Sequence, residues 1–247
     1  MKNAIVTGGS RGIGESIVMK LGEMGYNIII NYHSDKSKQL TENIIKTLNT
    51  KYKVEGYGIQ ADISSYEECQ KIVKMAEEKF KGNIDVLVNN AGIASSNVPF
   101  TEMKKEQYMS IINTNLLGTF HMCHLVVPYM VKAKKGCVIN MSSIGGLMGV
   151  AGQVDYCASK SGIIGMTRAL AVEFAKDNIR VNCISPGMIL TDLLKHIDKE
   201  KNEALAKCIP LGKIGKVEDV SNVVEFLIKN EYMTGQSVSP NGGIIMP

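Results

Sequence analysis

Several features that define large classes of protein are missing from this sequence. No apolar run reaches the length that crosses a bilayer. No basic patch is interleaved with aromatic residues, which make up only 6% of the chain, so nothing suggests a nucleic-acid interface. Without repeats, low-complexity tracts or Pro/Gly-rich linkers, residues 1–247 are expected to form one globular domain. Because a strand follows Met1 almost at once, leaving no room for a signal peptide, we expect a cytoplasmic protein.

Cysteine pairing is missing too. The six cysteines include no Cys-x-x-Cys spacing, and Cys137 and Cys183 fall at or in apolar strand-like runs, where cysteine behaves as a small hydrophobic residue. The sequence therefore predicts free thiols and a reducing compartment. His121, Cys123 and His124 lie close together without the paired ligand spacing of a zinc site, so we expect no metal.

Charge of neither sign dominates, because 28 basic and 24 acidic residues leave a formal net charge of +4. Two small basic clusters consist of Lys132, Lys134 and Lys135 and of Lys195, Lys199 and Lys201. We interpret both clusters as solvated helix ends; a site for an anionic partner is the alternative.

What the sequence does contain is an alternation of short apolar strands with helices. Strands are predicted at residues 4–6, 27–31, 54–59, 84–88, 137–141, 179–184 and 237–239, and helices at 13–24, 36–49, 66–80, 116–131 and 154–175. Such strands predict a parallel seven-stranded sheet covered by helices on both faces, which is the doubly wound, Rossmann-like α/β fold. Its ligands bind beyond the carboxyl ends of the strands. The polar segment 188–210 is predicted to be a mobile lid over that site.

A glycine-rich turn joins the first strand to the first helix. Residues 7–14 read Thr-Gly-Gly-Ser-Arg-Gly-Ile-Gly, and such glycines let the backbone approach a pyrophosphate that rests on the helix N-terminus. A tight strand-to-helix connection is the alternative. The residues expected to contact a dinucleotide here are Gly8, Ser10, Arg11, Gly12, Ile13 and Gly14.

The end of the second strand indicates which dinucleotide is bound. An acidic side chain there would bond to the adenosine ribose and repel a ribose phosphate, but His33 and Ser34 stand at this end. Arg11 is well placed to meet an extra phosphate, so NADP(H) is favoured; a later strand end, at Asp35, would favour NAD(H). For Asp62, contact with the adenine and capping of a helix are equally open. The further cofactor contacts expected along this edge are Asp62, Ile63, Asn90, Ala91 and Gly92. For residues 89–92 a polar turn is the alternative.

Tyr156 and Lys160 form the most informative pair. They lie four residues apart in a predicted helix and therefore share one face. An ammonium beside a phenol lowers the pKa of the tyrosine toward working pH, which makes a general acid for a carbonyl oxygen. Ser143 precedes this pair by thirteen residues. The alternative is a tyrosine packed beside a solvated lysine.

Together these segments resemble the short-chain dehydrogenase/reductase family over essentially the whole chain. The motifs are the glycine loop, Asn-Asn-Ala-Gly at 89–92, Asn115, Ser143, Tyr156 with Lys160, and Pro186-Gly187 followed by Thr191. The resemblance implies that the catalytic residues are Asn115, Ser143, Tyr156 and Lys160. It also implies cofactor contacts from Tyr156, Lys160, Pro186, Gly187, Ile189 and Thr191.

The resemblance also implies a mechanism for the reduction of a ketone. Ser143 would fix the carbonyl oxygen, Tyr156 would protonate it as hydride arrives at carbon, and Lys160 would hold the nicotinamide ribose. Asn115 would order a water behind Lys160 and so open a proton route to solvent. The structural alternatives are that Ser143 caps a strand end and that Asn115 bonds to backbone inside a helix.

Within the family, the chain is most similar to the 3-oxoacyl-[acyl-carrier-protein] reductases of bacterial fatty acid synthesis, notably at residues 210–215, 218–220 and 234–243. That similarity implies a homotetramer, with the helices at 116–131 and 154–175 between subunits. It also implies an acidic acyl carrier protein as partner, for which Lys134 lies at an expected docking position, whereas Asp177 departs from the pattern.

Two other functions remain open from the sequence. One is an NADP(H)-dependent dehydrogenase that acts on a free alcohol, hydroxysteroid or small ketone. The other is a regulator that binds the nucleotide without turnover. Family members of that kind usually lack the catalytic tyrosine or lysine, and both are present here.

Overall fold

The computed structural model describes residues 2–191 and 199–246, and its centre is a sheet of seven parallel strands. The strands are β1 (Lys2–Val6), β2 (Tyr26–Tyr32), β3 (Gly56–Gln60), β4 (Val86–Asn89), β5 (Gly136–Met141), β6 (Ile179–Ile184) and β7 (Ser237–Val238). The helices are α1 (Gly12–Glu23), α2 (Lys38–Thr47), α3 (Tyr66–Phe80), α4 (Lys105–Ile111), α5 (Gly118–Ala133), α6 (Val154–Phe174), α7 (Lys199–Lys207) and α8 (Val217–Lys229). The predicted doubly wound α/β fold is confirmed.

The apolar core lies in two layers, one on each face of the sheet. One layer contains apolar side chains of α1, α2 and α8, and the other contains those of α3, α5 and α6. Ile28 and Ile30 of β2 enter the first layer and Ile29 enters the second, since successive strand residues point to opposite faces. A strand with both faces covered needs no polar alternation, which is why β2 reads as an unbroken apolar run.

The order of the strands determines where a ligand can bind. They lie side by side as β3-β2-β1-β4-β5-β6-β7, so the chain winds outward in one direction from β1 and in the other from β4. The loops that follow β1 and β4 therefore diverge and leave a crevice at the carboxyl edge of the sheet. The motifs predicted to bind a dinucleotide lie at this edge.

Two predicted helices are interrupted. The helix predicted at 36–49 consists of a 3-10 turn (Asp35–Ser37), α2 and a π-helical turn (Leu48–Tyr52), and β3 then begins at Gly56. The helix predicted at 116–131 is preceded by α4 and by a second π-helical turn, Ile112–Leu117, from which α5 continues. A π-helical turn takes in one more residue than an α-helical one, and such turns occur frequently at functional sites.

Part of the predicted lid can be located. Residues 192–198 of the segment 188–210 lie outside the described residues, and α7 forms much of the rest. The lid remains a prediction. Across the ranges that the structure describes, no helix is both long enough and apolar enough to cross a membrane.

Candidate active site

A crevice of about 700 Å³ opens at the carboxyl edge of the sheet, where β1 and β4 separate. It brings together most of the side chains and backbone segments that the sequence assigned to a dinucleotide. The predicted residues that line it are Gly8, Ser10, Arg11, Gly12, Ile13, Gly14, His33, Ser34, Asp62, Ile63, Asn90, Ala91, Gly92 and Thr191. Residues that line it but were not predicted include Asn31, Tyr32, Ser37, Ala61 and Ser64.

The glycine loop is packed so closely that Gly8 and Gly14 leave no room for a side chain. A Cβ on Gly14 would lie 2.1 Å from the carbonyl oxygen of Gly8, and a Cβ on Gly8, whose φ is +62°, would lie 2.9 Å from Cα of Ala91. Only glycine satisfies both the spacing and the left-handed backbone at position 8.

A polar clamp holds this loop against the segment after β4. The buried Thr7 hydroxyl accepts hydrogen bonds from the backbone N–H groups of Asn90 and Ala91, at 3.0 and 3.1 Å. Asn90 Nδ2 donates in return to the carbonyl oxygens of Thr7 and Gly8, at 3.1 and 3.0 Å. The role of Thr7 was not predicted from the sequence, because this pairing depends on β1 and β4 being neighbours.

The adenosine end of the crevice has no carboxylate at the end of β2. That strand ends at Tyr32, and Asp35 opens the following 3-10 turn, outside the described lining of the crevice. His33 and Ser34 line it instead, with the exposed Arg11. This distribution is the one expected of a site that accepts a ribose phosphate.

The structure excludes one of the two roles considered for Asp62. Ser65 is the N-cap of α3, since its hydroxyl accepts from the N–H of Glu68 at 3.2 Å. Asp62 Oδ1 instead accepts from the N–H of Ser64 at 2.9 Å, and the residue lines the crevice. The helix-cap alternative is therefore wrong for Asp62, and the expected contact with adenine stays a prediction.

Ser143 and Tyr156 lie beside each other beyond β5, and their side chains are hydrogen-bonded. A Cβ placed on Gly145 would lie 3.3 Å from the ring of Tyr156 and 3.6 Å from the Ser143 hydroxyl. That hydroxyl accepts from the N–H of Gly145 at 3.1 Å and so caps the turn Ile144–Gly146. Capping uses a lone pair of the oxygen, so the O–H of Ser143 remains available to donate.

Lys160 is buried beside this pair. Its ammonium donates to the carbonyl oxygen of Met141, the last residue of β5, at 2.8 Å and lies 5.6 Å from the centre of the Tyr156 ring. The side chain is almost fully buried, and this burial lowers the pKa of Lys160 from 10.5 to about 8.

The pKa of Tyr156 was expected to be lowered by Lys160, and this expectation is wrong when only the groups of the protein surround the tyrosine. Burial raises the pKa of Tyr156 above its ordinary value, and the hydrogen bond with Ser143 lowers it by less. The tyrosine therefore holds its proton at neutral pH, which is the state that a proton donor requires.

Asn115 lies in the π-helical turn Ile112–Leu117 and is fully buried. Its Oδ1 accepts from the N–H of Ile93 at 2.8 Å, and its Nδ2 donates to the Ile93 carbonyl at 3.0 Å and to the Ser159 hydroxyl at 3.3 Å. A Cβ on Gly92 would lie 3.1 Å from Asn115 Oδ1 and 3.5 Å from the Lys160 ammonium. Asn115 thus bonds to a loop rather than within its own helix, close to Lys160; the water route stays a prediction.

The segment after β6 completes the edge of the site. The carbonyl of Pro186 accepts from the N–H of Ile144, and the N–H of Gly187 donates to the Pro240 carbonyl, at 3.0 and 3.1 Å. Thr191 faces the glycine loop, because a Cβ on Gly12 would lie 3.7 Å from its methyl group. Ile189 is buried in the core, so only its backbone can meet a ligand.

Lys134, the expected docking residue, is already paired. Its ammonium forms an ion pair with the buried carboxylate of Asp177, and the Lys134 carbonyl accepts from Asn178 Nδ2 at 3.3 Å. The one departure from the expected pattern, Asp177, therefore compensates the charge of the expected docking residue. Lys134 joins the end of α5 to the turn before β6 rather than presenting an unpaired charge.

The His121, Cys123 and His124 side chains bond to three different partners. His121 Nδ1 lies 3.2 Å from the Ile63 carbonyl, His124 Nδ1 lies 3.1 Å from the Tyr66 hydroxyl, and Cys123 is buried against Asn89. All six cysteines, which lie within the described residues, are free thiols.

Comparison with known proteins agrees with this geometry. Residues 8–245 match a family model described as Enoyl-(Acyl carrier protein) reductase. Proteins described as 3-oxoacyl-[acyl-carrier-protein] reductase FabG are 40% identical in Staphylococcus epidermidis and 39% identical in Pseudomonas aeruginosa, over 99% of this chain and 99% and 98% of theirs. The chain belongs to the short-chain dehydrogenase/reductase family. The family predicted from the motifs is thereby confirmed.

A third relative and a solved structure extend the match. The protein described as FabG in Thermotoga maritima is 37% identical over 99% of this chain and 98% of its own. The solved structure described as ElxO with NADP bound superposes with a TM-score of 0.90 and 34% identity, covering 98% of each chain.

Proposed function

We propose that this chain is an NADPH-dependent reductase that converts 3-oxoacyl thioesters, carried by acyl carrier protein, into 3-hydroxyacyl thioesters. The observation that carries the proposal is that Ser143 and Tyr156 lie side by side, next to the buried Lys160 and to a crevice lined by the glycine loop. Membership of an oxidoreductase family and the names of the FabG relatives support it.

The residues of the crevice fit NADPH. Gly8, Gly12 and Gly14 line the crevice, and the loop runs directly into α1, whose N-terminal N–H groups favour an anion. Arg11, His33 and Ser34 would hold the ribose phosphate, and Thr191 and Lys160 would hold the nicotinamide half. When bound, NADPH supplies the hydride that reduces the carbonyl carbon.

The residues of this chain supply the proton and the positioning. Ser143 donates its O–H to the carbonyl oxygen and holds it next to the phenol. Tyr156, which keeps its proton because its pKa is raised, donates that proton to the same oxygen as negative charge develops there. Lys160 lies within reach of Gly92 and Asn115, and a proton returns to Tyr156 along this side of the site.

The choice of acyl carrier protein as the substrate carrier rests on the names of the relatives more than on basic docking residues at the surface of this chain. An acidic carrier protein needs basic docking residues, but the Lys134 charge is compensated by Asp177. A dehydrogenase acting on a free small ketone is therefore the second candidate. Reduction of an enoyl thioester is a third, because the matching family model carries that description.

We also propose that the protein is a homotetramer. Large apolar side chains remain exposed on α4, on α5 with the turn before it, and on α6, namely Tyr108, Met109, Leu117, Phe120, Val154 and Val172. Such side chains exposed together mark an interaction surface. Light scattering should give four times the 26.9 kDa chain mass; a monomeric mass would contradict the proposal.

Turnover of defined substrates tests the proposed reaction. NADPH oxidation, measured by absorbance, should be fast with an acetoacetyl thioester of acyl carrier protein and much slower with a crotonyl thioester or with free ketones. Tyr156→Phe should lower the rate by at least about a hundredfold, since it removes the proton donor, while NADPH still binds. Tyr57→Phe, which removes a phenol bonded to Glu55 away from the crevice, is the matched control.

Different outcomes would identify different errors. Preference for the crotonyl thioester would make the protein an enoyl reductase, and preference for free ketones would make it a small-molecule dehydrogenase. Full activity of Tyr156→Phe would contradict the assigned proton donor.

Arg11→Ala tests the choice of NADPH over NADH. The dissociation constant of this variant for NADPH, measured by fluorescence titration, should rise about tenfold or more, because a hydrogen-bonded charge opposite the ribose phosphate is lost. Affinity for NADH should change less than about twofold, since NADH lacks that phosphate. Lys36→Ala removes an exposed cation close to the same rim and should alter neither value. Equal weakening of both cofactors by Arg11→Ala would contradict the choice of NADPH.

A further inference from the structure

The loop after β4 touches the start of α6 backbone to backbone. The N–H of Val98 donates to the Gly152 carbonyl at 3.0 Å, and a Cβ on Gly152 would lie 3.3 Å from the carbonyl carbon of Asn97. Asn97 and Gly152 both have left-handed backbone conformations, with φ of +54° and +78°. Asparagine and glycine are the residue types that adopt this conformation most readily, so the sequence suits the contact at both positions.

A side-chain hydrogen bond joins the same two segments. Gln153 Nε2 donates to Asn97 Oδ1. Gln153 occupies the N-cap position of α6, and its carbonyl accepts from the N–H of Cys157 at 2.8 Å. The loop is therefore attached to the first turn of the helix that carries Tyr156 and Lys160.

The other end of this loop is attached to a second catalytic element. The Asn115 side chain accepts from the N–H of Ile93 and donates to its carbonyl, at 2.8 and 3.0 Å. Between the two attachments, residues 94–96 have small side chains, and residues 90–99 form neither helix nor strand. A segment of this kind keeps its shape mainly through its attachments.

We infer that Asn97 and Gln153 form a latch, which holds residues 94–98 against the start of the helix that carries Tyr156 and so orients the acyl part of the substrate. Both are positioning residues, since neither is assigned a contact with the reacting atoms. The role in acyl orientation rests on the proposed function. When the latch is open, fewer bound substrate molecules have the reactive geometry, while the walls of the cofactor crevice stay in place.

Single and double variants test the contribution of the Asn97–Gln153 hydrogen bond to catalysis. Gln153→Met removes the donor at similar size, and Asn97→Gly removes the acceptor while keeping the left-handed backbone accessible. Each should lower kcat/KM for the acetoacetyl thioester about three- to tenfold, as expected for one hydrogen bond. The kcat/KM of the double variant should be no lower than that of the less active single variant, because both changes break the same bond. KM for NADPH should stay within about twofold.

Two further variants separate the latch from general loosening of the loop. Asn97→Asp keeps an acceptor for Gln153 and tolerates the same backbone, so it should retain kcat/KM within about twofold. Ser96→Gly adds flexibility one residue earlier without removing the bond, and it should also stay within about twofold. The inference would be overturned if the loss of kcat/KM in the double variant equalled the product of the two single losses, or if Asn97→Asp lost as much kcat/KM as Asn97→Gly.

Amide hydrogen exchange gives a readout that needs no substrate. The Val98 N–H should exchange at least about tenfold faster in Gln153→Met than in the wild type and in Asn97→Asp. Unchanged exchange in Gln153→Met would overturn the latch whatever the activity. A wild-type protein that reduces no 3-oxoacyl thioester would overturn the proposed function, and the exchange experiment would still decide the latch.

Discussion

A lysine ammonium buried at the carboxyl end of β5 is the constraint on which the rest of the site depends. Burying a charge is costly unless it is hydrogen-bonded, and Lys160 is held by the carbonyl of Met141 at 2.8 Å. That bond fixes the ammonium between α6 and the sheet, close to Gly92 and Asn115. Because α6 also carries Tyr156, the same anchor sets the position of the phenol relative to Ser143.

The surrounding elements support this arrangement through hydrogen bonds to backbone. Asn115, placed inside by a π-helical turn, bonds to Ile93, and Asn90 and Thr7 tie the segment after β4 to the glycine loop. The bonds of Thr7 and Asn90 join the ends of the neighbouring strands β1 and β4, so the order of the strands is a requirement of the site. The cofactor crevice and the proton donor are thereby parts of one connected framework.

Much of this arrangement could be predicted from the sequence. The run Ile28, Ile29, Ile30 identified a strand covered on both faces, and the glycine loop and the Tyr156–Lys160 spacing located the site. Each of these signals lies within a short stretch of the chain, so periodicity and motif spacing are enough to recognise it.

The remainder depends on contacts between distant residues. The π-helical turn around Asn115 leaves no mark in the apolar period, and the Thr7 clamp exists only because β1 lies beside β4. The expected direction of the Tyr156 pKa was wrong because burial, which no spacing reveals, raises it by more than the hydrogen bond with Ser143 lowers it. Lys134 was expected to be available for docking, but the fold brings Asp177 against it.

The ionisation of Lys160 tests the central claim most directly. Protein labelled with ¹³C at the lysine ε-carbons can be titrated by NMR, with Lys160→Met used to assign the signal. The buried position predicts a midpoint of about 8 for Lys160, well below the ordinary value of 10.5. A Lys160 signal that titrates near 10.5 would mean that the ammonium is solvated, and it would contradict the buried anchor on which this description of the site depends.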